Sequence, residues 1–165
     1  MAVEDQLDAL VAQWHEELPG VEVGVMAEVA RMLHVARLLG ERLSANAAEH
    51  GLQLGEGDVL FTLRRAGAPY RLSPTELAGS TLVTTGTMTN RLDKLESRGL
   101  VRRLPNPDDR RGLAVELTAE GKRLVDRVVP EHVANEREML SVLSEREREQ
   151  LSRLMRKLLA GLEAG

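Results

Sequence analysis

The sequence predicts a mainly α chain with a small β-wing, in which a winged helix-turn-helix is flanked by long helices. Three observations carry that expectation. Apolar residues recur at spacings of three and four over most of the 165 residues, the period of amphipathic helices. With one Trp, one Tyr and one Phe against abundant Leu, Val, Ala, Glu and Arg, the core must be aliphatic and built from good helix formers. The departure from helical period is LVRRLP and GLAVEL, two short β-like runs on either side of the turn-forming segment NPDDRR.

Each element has its own signal. Val3, Leu7, Leu10, Val11, Trp14 and Leu18 form one helical stripe, ended by Pro19-Gly20. A second stripe, Val25, Val29, Met32, Leu33, Ala36, Leu39, Leu43 and Ala47, runs for about six turns and stops at His50-Gly51. A third helix covers residues 55–66 and is closed by Gly67-Ala68-Pro69. The fourth starts at Ser73, which caps it, with Pro74 in the first position and Glu76 completing a capping box, and it ends near Gly79-Ser80. The fifth, residues 84–98, buries Met88, Leu92 and Leu95 and ends at Gly99. After the hairpin, Thr118 caps a helix from about residue 119 that is expected to be interrupted or bent at Pro130. Ser144 and Glu147 cap the last helix, which carries Leu151, Leu154, Met155, Leu158, Leu159 and Leu162 on one stripe. Residues 52–121 are thus expected to form the winged unit, with dimerisation helices in 1–51 and 122–165.

Charge narrows the partners. The net charge is −4, yet Arg91, Lys94, Arg98, Arg102, Arg103, Arg110 and Arg111 face only Asp93, Glu96, Asp108 and Asp109 between 91 and 111, a local +3 against −7 elsewhere. Such polarity fits one surface that meets a polyanion while the remainder stays solvated. No cysteine is present, so disulfides and thiolate metal sites are excluded. His15, His34, His50 and His132 lack metal-ligand spacing, and no phosphate-binding glycine loop or nucleophile motif occurs, so neither a cofactor nor a metal is expected, and no enzymatic activity. The acidic start MAVEDQLDAL and the lack of a long apolar run point to a soluble, cytoplasmic protein.

With Met88, Leu92 and Leu95 inward, helical geometry turns Gly86, Thr87, Thr89, Asn90 and Lys94 outward, and Thr84 and Thr85 stand at the helix start. Asn can pair with an adenine edge, Thr offers a hydroxyl and a methyl to thymine, and Lys reaches phosphate or guanine. The order helix, turn, helix, basic hairpin is the one a double-stranded DNA reader requires. Arg110 and Arg111 at the hairpin tip are placed to enter a minor groove, with Asp109 supporting one guanidinium. The alternative reading is a solvated Asp-Arg turn.

The run SPTELAGSTLVTTGTMTNRLDKLESRGLVRRLPNPDDRRGLAVELTAEG resembles the winged helix-turn-helix core of the MarR family, with the Asp-x-Arg wing at Asp109 and Arg111 and the Leu-Thr-x-x-Gly exit at Leu117, Thr118 and Gly121. The resemblance implies a homodimer on a palindromic operator, usually as a repressor. Apolar stripes at both ends of the chain, more than a small reading head can cover, agree with two-fold burial.

Trp14, Asp58, Arg91 and Arg103 raise the question of a ligand. Asp58 stands in an apolar helix and requires a cationic partner, while arginines with an indole wall can hold a small planar or carboxylated anion. The same four positions resemble the signature of urate-responsive MarR regulators, and similar proteins answer to aconitate or citrate. This implies a small anionic metabolite as partner. Two alternatives stay open: the four residues are purely structural in an effector-independent DNA-binding protein, or the fold serves a ligand- or partner-binding module that does not read DNA.

Overall fold

The computed structural model describes residues 5–81, 85–106 and 112–165. The chain divides into two compact units, one up to Arg42 and one from Leu43 onward.

In the first unit, α1 (Gln6–Glu17) is capped by Asp5, whose carboxylate accepts from Leu7 N–H at 2.9 Å and Asp8 N–H at 3.3 Å. The Asp8 carboxylate returns the bond to Asp5 N–H at 2.9 Å. Arg31, on α2 (Gly24–Glu49), donates to Asp5 at 2.8 and 3.0 Å and also to Asp8. That guanidinium, with the helix-start amides, holds the Asp5 carboxyl down at about 2. The capping signals here lie in Asp5 and Asp8, which the apolar stripe alone did not single out.

The second unit is built on α3 (Leu54–Arg65), α4 (Pro74–Thr81) and α5 (Thr85–Ser97), followed by β2 (Val101–Pro105), β3 (Leu113–Leu117), α6 (Ala119–Met139) and α7 (Glu145–Glu163). Leu60, Leu63, Leu77, Met88, Leu92, Leu95, Val101, Val115 and Val125 close over one another in its core. Their alignment follows from the helical spacing within α3 and α5 and from the alternation in β2 and β3.

The capping boxes form as their spacing predicts. The Ser73 hydroxyl accepts from Glu76 N–H at 3.2 Å and the Glu76 carboxylate accepts from Ser73 N–H at 2.7 Å. The same exchange joins Ser144 and Glu147 at 3.4 and 2.8 Å. Gly99 ends α5 at φ 68°, a left-handed conformation that an L side chain resists, and Leu100 N–H closes back on the Leu95 carbonyl at 3.0 Å. The helix from Thr118 is expected from the sequence to be interrupted or bent at Pro130, and it is not interrupted: α6 runs through that residue. Proline removes a single backbone donor, and the helix retains its bonds on either side.

The sheet has three strands, not the two of the hairpin. A strand β1 (Arg71–Leu72) pairs antiparallel with β3, giving the order β1-β3-β2, with Arg71 opposite Glu116 and Leu72 opposite Val115. β2 pairs with β3 on the other side, Arg103 opposite Val115. Glu116 is only 6% exposed and is clamped from both neighbours: Arg71 Nε donates to it at 2.8 Å and Arg102 Nε at 3.0 Å. Burial alone would raise its carboxyl, but the Arg102 and Arg71 guanidiniums hold it below the usual carboxylate range. With its folded value depressed, the stabilisation from Glu116 is complete above the unfolded value and is lost as pH falls through the folded one. Glu116→Gln is expected to cost roughly 1–3 kcal/mol at neutral pH, with the difference from the parent shrinking in acid. Urea unfolding at both conditions measures it; an equal loss at both would show that charge is not the cause.

Candidate nucleic-acid interface and ligand cluster

α5 presents two faces. Met88, Leu92 and Leu95 are buried in the core, while Gly86, Thr87, Thr89, Asn90 and Lys94 are exposed along the opposite side. Lys94 Nζ donates to Gln53 Oε1 at 3.2 Å, which ties this face to the residue preceding α3. Thr85 opens α5. Thr84, Asp109, Arg110 and Arg111 lie outside the described residues. The last described bond of the hairpin joins Asn106 N–H to the Gly112 carbonyl at 2.9 Å.

Two ion-pair systems fix the far end of α5. Glu56, on the first turn of α3 and 4% exposed, accepts from Gln53 N–H at 3.0 Å and from Arg98 Nη1 at 3.1 Å. Arg103 on β2 bridges back to α5, pairing with Asp93 at 2.6 Å and Glu96 at 2.5 Å, while Glu96 also accepts the Arg103 N–H at 2.9 Å. Burial works against the Arg103 charge, but these two carboxylates outweigh it and raise its pKa. The consequence is a charge-assisted joint between the helix and the wing strand that follows it.

Asp58 and Arg91 meet in a different environment. Asp58 is half-buried on α3, and desolvation raises its carboxyl pKa, opposed by the charges of Arg91 and of His132 on α6. The Arg91 guanidinium lies across Gly55: a Cβ built there would stand 2.2 Å from Arg91 Cζ, so glycine is what leaves room for it. Arg91 Nη1 is buried without a hydrogen-bond partner. A desolvated donor of this kind is costly unless something accepts from it. His132 also stacks edge-on against Phe61, ring centres 5.1 Å apart.

Of the four residues singled out as ligand candidates, Asp58 and Arg91 therefore share one electrostatic neighbourhood. Arg103 has carboxylate partners of its own, and Trp14 belongs to α1 of the first unit, 44% exposed. Gly55 and His132 join the neighbourhood without having been legible in the sequence. Gly55 reads as an ordinary helix-end glycine, and His132 reaches α3 only through the packing of α6.

Because its folded pKa is raised, Asp58 favours stability below its unfolded value and costs progressively more as pH rises through the folded one. Arg91→Ala removes the larger opposing charge and is expected to move the Asp58 titration further up. Carbon-detected NMR of the side-chain carboxyl measures both midpoints; an unchanged value in the variant would separate the two residues electrostatically.

Among the described residues no cluster of three His, Asp or Glu side chains could hold a metal ion, and no helix is long and apolar enough to cross a membrane. Residues 52–113 match the MarR family. The chain is 39% identical over 150 residues to the HTH-type transcriptional regulator PecS of Dickeya dadantii, covering 91% of this chain and 90% of that protein. Among solved structures it is similar to Sco3205, a MarR family transcriptional regulator from Streptomyces coelicolor in complex with DNA, at TM-score 0.79 and 27% identity over 86% of this chain and 89% of that one. AbsC, a MarR family regulator from the same organism, gives TM-score 0.78 at 25% identity, covering 88% and 97%. The winged fold, the exposed polar face of α5 and this relationship over nearly the full length agree: the chain belongs to the MarR family of DNA-binding transcriptional regulators.

Proposed function

We propose that the protein is a cytoplasmic homodimeric repressor, without enzymatic activity, that binds a palindromic operator and is released by a small anionic metabolite, either urate or a tricarboxylate such as aconitate or citrate. The observation that carries the DNA reading is the exposed row Gly86, Thr87, Thr89, Asn90 and Lys94 on a helix fixed from behind by its apolar face. In this reading Thr84, Thr85 and that row enter the major groove, and Arg110 and Arg111, supported by Asp109, reach the minor groove. Sco3205, a relative of the same fold, is seen on DNA.

Dimerisation is supported by α7, which buries none of its residues: Leu154, Leu158 and Leu162 on its stripe are exposed, Leu162 by 73%. A stripe of this length is stable in water when a second copy covers it. Residues 1–51 and 122–165 would supply the dimer helices and 52–121 the DNA-reading unit. The ligand is proposed to engage Trp14, Asp58, Arg91 and Arg103; the buried, unpartnered Nη1 of Arg91 supports the part given to that residue. An anion that competes for Arg103 would loosen the joint between α5 and β2, so differential binding to the two arrangements lowers DNA affinity.

Fluorescence anisotropy of labelled DNA from the protein's own upstream region, over a salt series and with urate, citrate or aconitate, tests this. Salt-sensitive binding reversed by one compound supports the whole reading, and binding reversed by none leaves a DNA-binding protein without these effectors. No binding to upstream DNA would favour a partner-binding module. Arg111→Ala is expected to weaken binding and reduce the slope of log affinity against log salt by about 1. An identical curve would reduce the wing to a surface turn.

A further inference from the structure

The end of α5 and the beginning of α6 are held together at one junction. Thr118 Oγ1 donates to the Gly99 carbonyl at 2.7 Å, and Thr118 N–H donates to the Leu100 carbonyl at 3.1 Å. Beside this junction lies a cleft of about 360 Å³ lined by His50 just past α2, by Arg98 and Leu100, and by Glu120, Arg123 and Arg127 of α6. None of these residues belongs to the Asp58 and Arg91 neighbourhood or to the outward face of α5.

The cleft concentrates positive charge that its surroundings neutralise only in part. Arg123 and Arg127 stand four apart on one helix face, a like-charge arrangement that destabilises a helix in isolation. Of the neighbouring acids, Asp126 is already engaged, while Glu131 lies against His50. Asp126 pairs with Arg64 at 2.7 Å and with Lys122 at 2.6 Å, and Glu131 Oε2 lies 3.3 Å from His50 Nε2. Glu56 takes only Nη1 of Arg98, leaving the rest of that fork available. Among the described residues, Glu120 is then the single carboxylate in the lining set against three guanidiniums.

We propose that this cleft binds a small phosphate-class oxyanion, held by Arg98, Arg123 and Arg127. Planar guanidiniums lining one cleft from two segments suit the two-pronged recognition of tetrahedral oxyanions, and the walls are mainly polar, with Leu100 and Leu124 their apolar residues. The bound anion ties the end of α5 to α6 and relieves the repulsion between Arg123 and Arg127. The site is independent of the urate or tricarboxylate reading and does not require it.

The test is calorimetric titration of the full-length protein with pyrophosphate and, separately, inorganic phosphate at fixed ionic strength, with chloride as the control. Saturable binding of either phosphate is expected, weakened at least tenfold in Arg123→Gln/Arg127→Gln and unchanged in Arg91→Ala. Both arginines are exposed, and the melting temperature of the double variant checks that it folds. The bound form of the parent is expected to melt several degrees higher than the free form. Absence of saturable heat, or equal binding by the double variant, overturns the proposal. Loss of DNA affinity in the double variant without phosphate binding by the parent would also overturn it, assigning these arginines to the DNA backbone.

Discussion

Gly121→Ala is expected to be the most damaging alanine substitution among the described glycines of the second unit. A Cβ at position 121 would lie 2.0 Å from the Leu100 carbonyl oxygen, a backbone atom that cannot rotate away, and 3.1 Å from the Leu117 side chain. The same carbonyl accepts Thr118 N–H at 3.1 Å, and Gly121 N–H donates to the Thr118 hydroxyl at 3.0 Å, so the first turn of α6 is pinned where the methyl would go. Alanine's better helix propensity recovers about 1 kcal/mol, and forced displacement of α6 outweighs it. A net loss of roughly 2–3 kcal/mol is expected, about 5–10 °C in melting temperature for a chain of this size. Gly161→Ala is the control, since nothing lies within 4 Å of its Cβ; it should leave stability unchanged or slightly raised. A Gly121→Ala protein that melts with the parent would mean that α6 and the α5 to β2 turn are not held as tightly as their hydrogen bonds indicate.

Gly55→Ala is expected to have the largest effect on ligand response while leaving the fold intact. The added methyl would meet Arg91 at Cζ, Nε and Nη2, between 2.2 and 2.4 Å, so the guanidinium must swing away. These atoms form the far end of a flexible side chain, and the displacement is therefore inexpensive for the fold. It removes Arg91 from its place without changing charge. If Arg91 and Asp58 hold the anion, Gly55→Ala should reproduce Arg91→Ala, and Asp58→Asn should move the same way, each raising the ligand concentration for half-release from DNA by about tenfold or more. The readout is ligand-induced loss of anisotropy at constant DNA and salt, beside DNA affinity without ligand, which a purely structural role would move first. Unchanged release in Gly55→Ala and Arg91→Ala would sink the pocket assignment.

Local signals carried much of this protein. The exposed and buried faces of α5, the capping boxes at Ser73 and Ser144, the Thr118 cap and the hairpin are all written in residues a few positions apart, where helical and strand periods and side-chain caps operate. Even there, Pro130 shows the limit: one missing donor reads as an interruption or a bend, and the α6 ladder on both sides carries the helix through without interruption.

Contacts between distant segments required the tertiary structure. β1 is two residues beside Pro69, too short to show alternation, and exists because β3 offers it an edge. Glu116 reads as one charge in an apolar strand until Arg71 and Arg102 arrive from the two flanking strands. Arg103, Arg91 and His132 could be listed from sequence, but not that Asp93 and Glu96 take the first, Gly55 cradles the second and the third bears on Asp58. Periodicity fixes which way a side chain points from its own element. Which charge meets it there depends on how elements far apart in the chain come together, and no local spacing encodes that.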